Sequence, residues 1–241
     1  MSAPRDGGVA AAIVAVRQRI EGACQRAERD PASVELLAVS KMQSAAAVRE
    51  AVDAGQCLFA ENYVQAWQSK AEDPRLVGLG DLRWHFIGAL QRNKIRFLLG
   101  RVRCIETVDR MKLAEALSSR SLERLGGNPQ QVLLEVNLGA EDGKAGFLSS
   151  ELWERYADLL ALPGLDIDGL MSIPPHRAHP EASRADHRSL AQLRERLQDA
   201  HGHALPTLSM GMSSDFEVAI EEGSTRVRIG TAIFGPRPPR G

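Results

Sequence analysis

The sequence predicts an α/β fold, a single (β/α)8 TIM-type barrel with an additional N-terminal helix. Three observations carry this. Strand-like and helix-like segments alternate eight times in one continuous series, which calls for parallel strands joined by crossover helices. Strand interiors such as LLAV and VLLEV are apolar throughout, as a sheet covered on both faces requires. The 241 residues are close to the roughly 250 typical of such a barrel. An open doubly wound sheet is the structural alternative.

The elements follow in order. Residues 7–29 carry apolar positions at helical spacing, and Asp30-Pro31 ends that helix. Strand one is VELLAVSK (34–41), followed by a helix over 44–55 with Ser44 as cap and Gly55 as terminator. CLFAEN (57–62) and a helix over 63–73 form the second unit. LRWHFIG (82–88) with 90–100 forms the third, and RCIETVD (103–109) with 110–126 the fourth. QVLLEVNLG (131–139) precedes a helix over 148–163, and LDIDGLMSIP (165–174) precedes one over 182–202. TLSMGM (207–212) leads into a helix over 213–223, and 225–235 is read as strand eight. No Pro-, Gly- or Ser-rich linker divides the chain, so residues 1–241 are expected to form one domain with a barrel core at about 34–235.

Composition excludes several classes of function. The chain is 44% apolar and 25% charged, with 30 basic against 31 acidic residues, so no net field favours nucleic acid or an anionic membrane. No apolar run reaches the roughly 18 residues of a membrane span, and the start MSAPRDGG lacks a secretory pattern. Cys24, Cys57 and Cys104 are odd in number and far apart, which suits reduced thiols in the cytoplasm.

The chemistry of a barrel sits at the C-terminal ends of its strands, with phosphate commonly held by the loops after strands seven and eight. Lys41 ends strand one, Glu61 and Asn62 end strand two, and His85 lies near the end of strand three. Ser209, Gly211 and Ser213 bracket the end of strand seven, while Gly230 and Thr231 are assigned to strand eight. In SMGMSSD (209–215), Ser213 and Ser214 are natural N-caps whose neighbouring amides suit an anion. Gly230 leaves room for close approach, with the Thr231 hydroxyl beside it. Taken singly, Ser213 could merely cap a helix and Gly230 merely relieve crowding.

Lys41 adds a second function to that rim. An ammonium at an apolar barrel mouth is desolvated, which turns lysine into an amine able to form a Schiff base. The plain alternative is a strand-end lysine reaching solvent. A phosphate cup and an amine on one rim fit either pyridoxal 5′-phosphate or a phosphorylated sugar handled by a cofactor-free aldolase. Arg228, two residues before Gly230, shares its face by strand alternation. Its guanidinium could face a pyridine nitrogen and keep it unprotonated, weakening the ring as an electron sink. An ion pair with an acid in EVAIEEG (217–223) is the competing role.

The segments LLAVSK, FAENYVQ (59–65), WHFIGALQRNK (84–94), GLMSIP (169–174) and LSMGMSSDFEVAIEEGSTRVRIGTAIFG (208–235) resemble the pyridoxal phosphate homeostasis proteins, barrels related to the N-terminal domain of alanine racemase. The resemblance spans roughly residues 10 to 237. It implies that Lys41 holds pyridoxal 5′-phosphate as a Schiff base. It implies that Ser213, Gly230 and Thr231 hold the phosphate, that Arg228 faces the ring nitrogen, and that Asn62 lies beside the cofactor. It further implies a carrier that buffers vitamin B6 or hands it to apoenzymes, with no established turnover; a monomer is expected separately, since the sequence carries no second domain or coiled-coil repeat. Ala60 stands where many members have Gly, and Gln43 where many bacterial members have a second lysine; Lys144 remains a candidate secondary amine.

An amino-acid racemase or lyase is the alternative within cofactor chemistry. A two-base racemase needs an acid–base group on each ring face, and only Tyr63 and Tyr156 exist, both expected in helices. Several other motifs are set aside. GAEDGKA around Lys144 fails the P-loop spacing. His176 and His179, with His187 downstream, lack a completing metal set, and the proline-broken segment that holds the first two is expected to be a solvated loop. Trp67, Trp84 and Trp153 are expected to pack.

Overall fold

The computed structural model describes residues 8–141, 143–175, 177 and 179–236. Eight parallel strands close in sequence order: β1 (Glu35–Val39), β2 (Leu58–Glu61), β3 (Arg83–Phe86), β4 (Cys104–Val108), β5 (Gln130–Val136), β6 (Leu165–Ser172), β7 (Thr207–Met212) and β8 (Arg226–Ile229). The barrel therefore stands and the open sheet does not, because β8 pairs back onto β1 with Leu37 opposite Arg228 and Ala38 opposite Ile229. That seam brings the ends of the first and last strands side by side, although nearly 200 residues separate them.

Helices α1 (Gly8–Arg26), α2 (Ala45–Asp53), α3 (Val64–Ala71), α4 (Met111–Arg124), α5 (Ser149–Leu160), α6 (Arg184–His201), α7 (Phe216–Glu221) and α8 (Thr231–Phe234) surround the strands. In α2 the Ser44 side chain accepts from the Ala47 amide at 3.2 Å, the cap expected from sequence. The extra helix α1 buries Ile13, Val16, Ile20 and Ala23 along one stripe. Its outer face pairs Arg19 with Glu217 and Arg26 with Glu221.

Three expected elements differ. Residues 90–100 form a short 3-10 turn over Arg92–Phe97; the segment closes with i to i−3 bonds such as Leu98 N to Ile95 O, which keep Leu90, Ile95 and Leu98 buried in fewer turns. The segment read as strand eight over 225–235 divides. Pairing with β1 stops at Ile229, Gly230 caps the next element, and Thr231 opens α8. The helix after β7 starts at Phe216 with Asp215 as its N-cap, so Ser213 and Ser214 do not cap it. Asp215 closes the turn itself, its Oδ1 accepting from the Met212 amide at 2.8 Å.

Strand alternation gives the barrel two cores. Ala38, Phe59, Ile105 and Val227 face the helices in one large apolar layer. The inner positions hold two small apolar groups, Leu37, Val39, Leu58 and Ala60 on one side and Cys104, Leu133 and Met171 on another. Between these the interior is polar, with His85, Glu106, Ser209, Arg226 and Arg228 all buried. Among the described residues no helix is long and apolar enough to cross a membrane.

Candidate functional site

Gly230 meets the end of β1 at the seam. Val39 ends β1 beside the end of β8, and a side chain at Gly230 would sit 3.2 Å from the Val39 carbonyl oxygen, so only glycine fits without displacing it. Lys41 lies two residues past Val39 in the turn that leaves the barrel, half-buried. Ser213 reaches the same corner from β7. Its Oγ accepts from the Ala232 amide at 3.2 Å, tying the turn after β7 to the start of α8. Its role is thus a bridge between two turns, one of them carrying Gly230 and Thr231.

Arg228 lies below this corner and is fully enclosed. Its Nη1 donates to the Ser209 carbonyl at 2.6 Å and to Ser209 Oγ at 2.8 Å, and Nη2 donates to the Ser172 carbonyl at 2.7 Å. The ion pair with the 217–223 segment is not formed, since that segment lies outside the barrel wall; its Glu221 and Glu222 bind Arg184. Burial pulls the Arg228 guanidinium below its usual pKa, with Glu106 and Glu135 opposing that pull. An arginine keeps its proton regardless, so a donor-only cation faces the interior.

Glu106 anchors this arrangement. Its carboxylate takes a 2.6 Å contact from His85 Nδ1, a 2.6 Å bond from Ser209 Oγ, and a 3.3 Å bond from Arg226. Burial opposes its charge, but the His85 hydrogen bond and the Arg226 charge hold it at about 2. Burial lowers the His85 pKa in turn, against the pull of Glu106. His85, expected at the rim, is therefore an interior residue; its side chain pairs sideways to β4. Glu135, near the end of β5, is pushed up to about 7, by burial and then by the charge of Asp109.

The second strand contributes Asn62, placed one residue past β2. Its backbone is packed by Gly88, where a Cβ would lie 1.9 Å from the Asn62 carbonyl oxygen. Tyr63 is the N-cap of α3 and 59% exposed, whereas Tyr156 is buried in α5 and contacts His203 at 3.1 Å.

Two polar atoms at this mouth are buried without a hydrogen-bond partner, Asn62 Oδ1 and Ser172 Oγ. An orphaned buried acceptor or hydroxyl costs free energy unless a ligand answers it. Asn62 follows β2 and Ser172 ends β6, where its carbonyl accepts from Arg228, so the residues present fit a polar ligand that could answer these two atoms.

Ser172, Glu106, Gly88 and Lys70 were not singled out by sequence reasoning, and Ser209, expected at the rim, instead bonds Glu106 in the interior. Ser172 ends β6, a position that could have flagged it. Lys70 gave a fainter sign, falling three residues after Trp67 on the inner stripe of α3, where both are buried. Glu106 gave none, because a mid-strand carboxylate reads as an ordinary alternation.

The motifs set aside resolve as follows. His176 lies outside the described residues. His179 caps a short 3-10 turn, while His187 lies in α6, within the helix expected over 182–202, where it is buried and contacts Asp215 at 3.2 Å. Burial works against the Asp215 charge, yet bonds from His187 and Met212 keep its pKa low. Trp67 and Trp84 pack, whereas Trp153 is 38% exposed beneath Arg196. Lys144 pairs with Glu141 at 2.8 Å.

Residues 13–238 match the family described as alanine racemase, N-terminal domain. A protein from Aquifex aeolicus named pyridoxal phosphate homeostasis protein is 44% identical over 222 residues, covering 92% of this chain and 95% of its own. One of the same name from Pseudomonas aeruginosa is 46% identical over 230 residues, covering 95% and 96%. The solved structure of PipY from Synechococcus elongatus, described with PLP bound, is 37% identical with a TM-score of 0.79, covering 91% of this chain and 100% of that one. With the same barrel matched over almost its whole length, the chain belongs to the pyridoxal phosphate homeostasis proteins, within the family of the alanine racemase N-terminal domain.

Proposed function

We propose that this protein binds pyridoxal 5′-phosphate at the C-terminal mouth of its barrel and serves vitamin B6 homeostasis by buffering the cofactor or delivering it to apoenzymes. The reading is supported by the positions of Lys41, Asn62, Ser213 and Gly230 just past the C-terminal ends of β1, β2, β7 and β8, with Arg228 enclosed on β8 below them and two polar atoms, Asn62 Oδ1 and Ser172 Oγ, left without a partner. The relatives' shared name and the PLP-bound neighbour support it.

Pyridoxal phosphate supplies an aldehyde that condenses with a primary amine, and Lys41 is the amine assigned to it. Ser213, Gly230 and Thr231 receive the phosphate, where the joined turns leave room for close approach. Arg228 faces the ring nitrogen and, being a donor without an acceptor, leaves it unprotonated. Asn62 lies beside the ring.

The protein acts as a carrier and not as a racemase. A second base would have to rise over the open face, and the two tyrosines do not supply it: Tyr156 is buried on α5, and Tyr63 points its bulk to solvent as the cap of α3. The barrel works as one cytoplasmic, monomeric unit.

Absorbance and mass spectrometry test this. The purified protein should absorb visible light; borohydride should bleach that band and fix the cofactor's mass on the peptide bearing Lys41, and Lys41→Ala should abolish both. A colourless wild type that takes up no cofactor, or rapid racemisation of amino acids, would refute the assignment.

A further inference from the structure

Beneath the rim, α3 sends Lys70 inward to a buried ion pair with Glu61. Lys70 is only 6% exposed and Glu61 is fully buried. Lys70 Nζ also donates to the Ser40 carbonyl at 2.7 Å. The Ser40 hydroxyl is 3.0 Å from Glu61 Oε1, and Glu61 Oε2 accepts from the Asn62 amide at 3.3 Å. One buried pair therefore grips Ser40, the residue before the Lys41 amine, and Asn62, the residue after β2 that carries the amide of the mouth.

The segment it grips is strained. Met42, directly after Lys41, has φ 63°, a left-handed conformation that side-chain-bearing residues avoid. Met42 is 44% exposed, so little burial compensates for that conformation. The turn is closed by the Gln43 amide donating to the Ser40 carbonyl at 2.9 Å, the same oxygen that Lys70 holds. Backbone strain of this kind persists only where the surroundings over-determine it. A buried ion pair is a poor source of net stability, because desolvation offsets much of its attraction. What it supplies here is direction, since both partners must meet fixed backbone atoms.

We propose that Lys70 and Glu61 are positioning residues that hold the strained 40–43 turn and so aim Lys41, with Asn62 beside it, at the ligand's aldehyde. Lys70 does not itself react, being committed to Glu61 and Ser40. The inference rests on the proposed cofactor reading, and the experiment separates the two.

The variant Glu61→Gln/Lys70→Met removes both charges together and so avoids stranding one; circular dichroism checks its fold. Two readouts follow. In the ligand-free protein, hydrogen exchange of the Gln43 amide should quicken at least tenfold relative to wild type, while amides of β5 and β6 stay unchanged. On adding pyridoxal 5′-phosphate, borohydride-trapped mass on Lys41 at equal ligand should fall at least tenfold. Lys70→Arg, which keeps the donor, should lose less. Adding Met42→Gly to the double variant should restore part of the trapping, because glycine adopts the left-handed turn without strain. Unchanged exchange at Gln43, or trapping within twofold of wild type, would overturn the inference. A wild type that traps nothing would instead refute the cofactor reading, and the exchange arm would still decide the role of the pair.

Discussion

The hydroxyl of Ser209 lies 2.6 Å from Glu106 Oε2 and accepts from Arg228 Nη1 at 2.8 Å. One serine thus couples a buried carboxylate to the guanidinium beneath the mouth. Removing the carboxylate takes this partner from Ser209 and His85 and leaves Arg226 with Glu35 as its remaining carboxylate. Glu106→Ala should destabilise the fold by about 3–5 kcal/mol, the usual result of breaking a buried pair from one side. Urea unfolding at neutral pH measures this. The sign with pH follows from a depressed carboxylate: its stabilisation is complete above about 4.5 and lost as pH falls toward about 2. The difference between wild type and Glu106→Gln should shrink over that window.

Glu135 behaves oppositely. Its pKa rises from 4.5 to about 7 in the fold, so the folded state holds a proton that the unfolded state has released. That contribution is favourable below about 4.5 and is lost as pH climbs to about 7. Glu135→Gln should therefore be more stable than wild type at pH 8, by up to about 3 kcal/mol from the size of the shift. The gain should fade at pH 4. Thermal unfolding of both proteins across pH 4–8 checks it, and a constant difference would contradict the buried-carboxyl account.

Gly88 permits the loop after β3 to lie on the Asn62 backbone. A methyl there would meet the Asn62 carbonyl oxygen at 1.9 Å, so backbone must move. Gly88→Ala should lower stability by about 1–3 kcal/mol, as overpacking does, and displace Asn62. Uptake of pyridoxal 5′-phosphate should weaken more than in Ala89→Gly, the control at the neighbouring residue.

Much of this protein was legible in its sequence. The alternation of elements, the apolar strand interiors and the length were enough for the barrel, because each follows from local periodicity and from burial of a sheet on both faces. Lys41 and Asn62 could be placed just past strand ends by counting, and Arg228 on an inward-facing position of β8 by alternation. The breaks in that reading have a common origin. Thr231 was assigned to a strand and opens a helix, because pairing with β1 ends at Ile229. Ser213 was read as the cap of its own helix and bridges to Ala232 instead, a bond between turns that no local pattern encodes.

The sequence by itself determined the order of strands, the apolar layers and the amine at the end of the first strand, since period and propensity act over a few neighbouring residues. Only the tertiary structure decided which polar groups meet inside: Glu106 with Ser209 and Arg226, Arg228 with the Ser172 carbonyl, Lys70 with Glu61 under Lys41. Partners such as Glu106 and Arg226, 120 residues apart, are chosen by closure of the barrel. A buried charge must then find its counterpart across the barrel, on neighbouring strands and on helices that only the closed fold brings together.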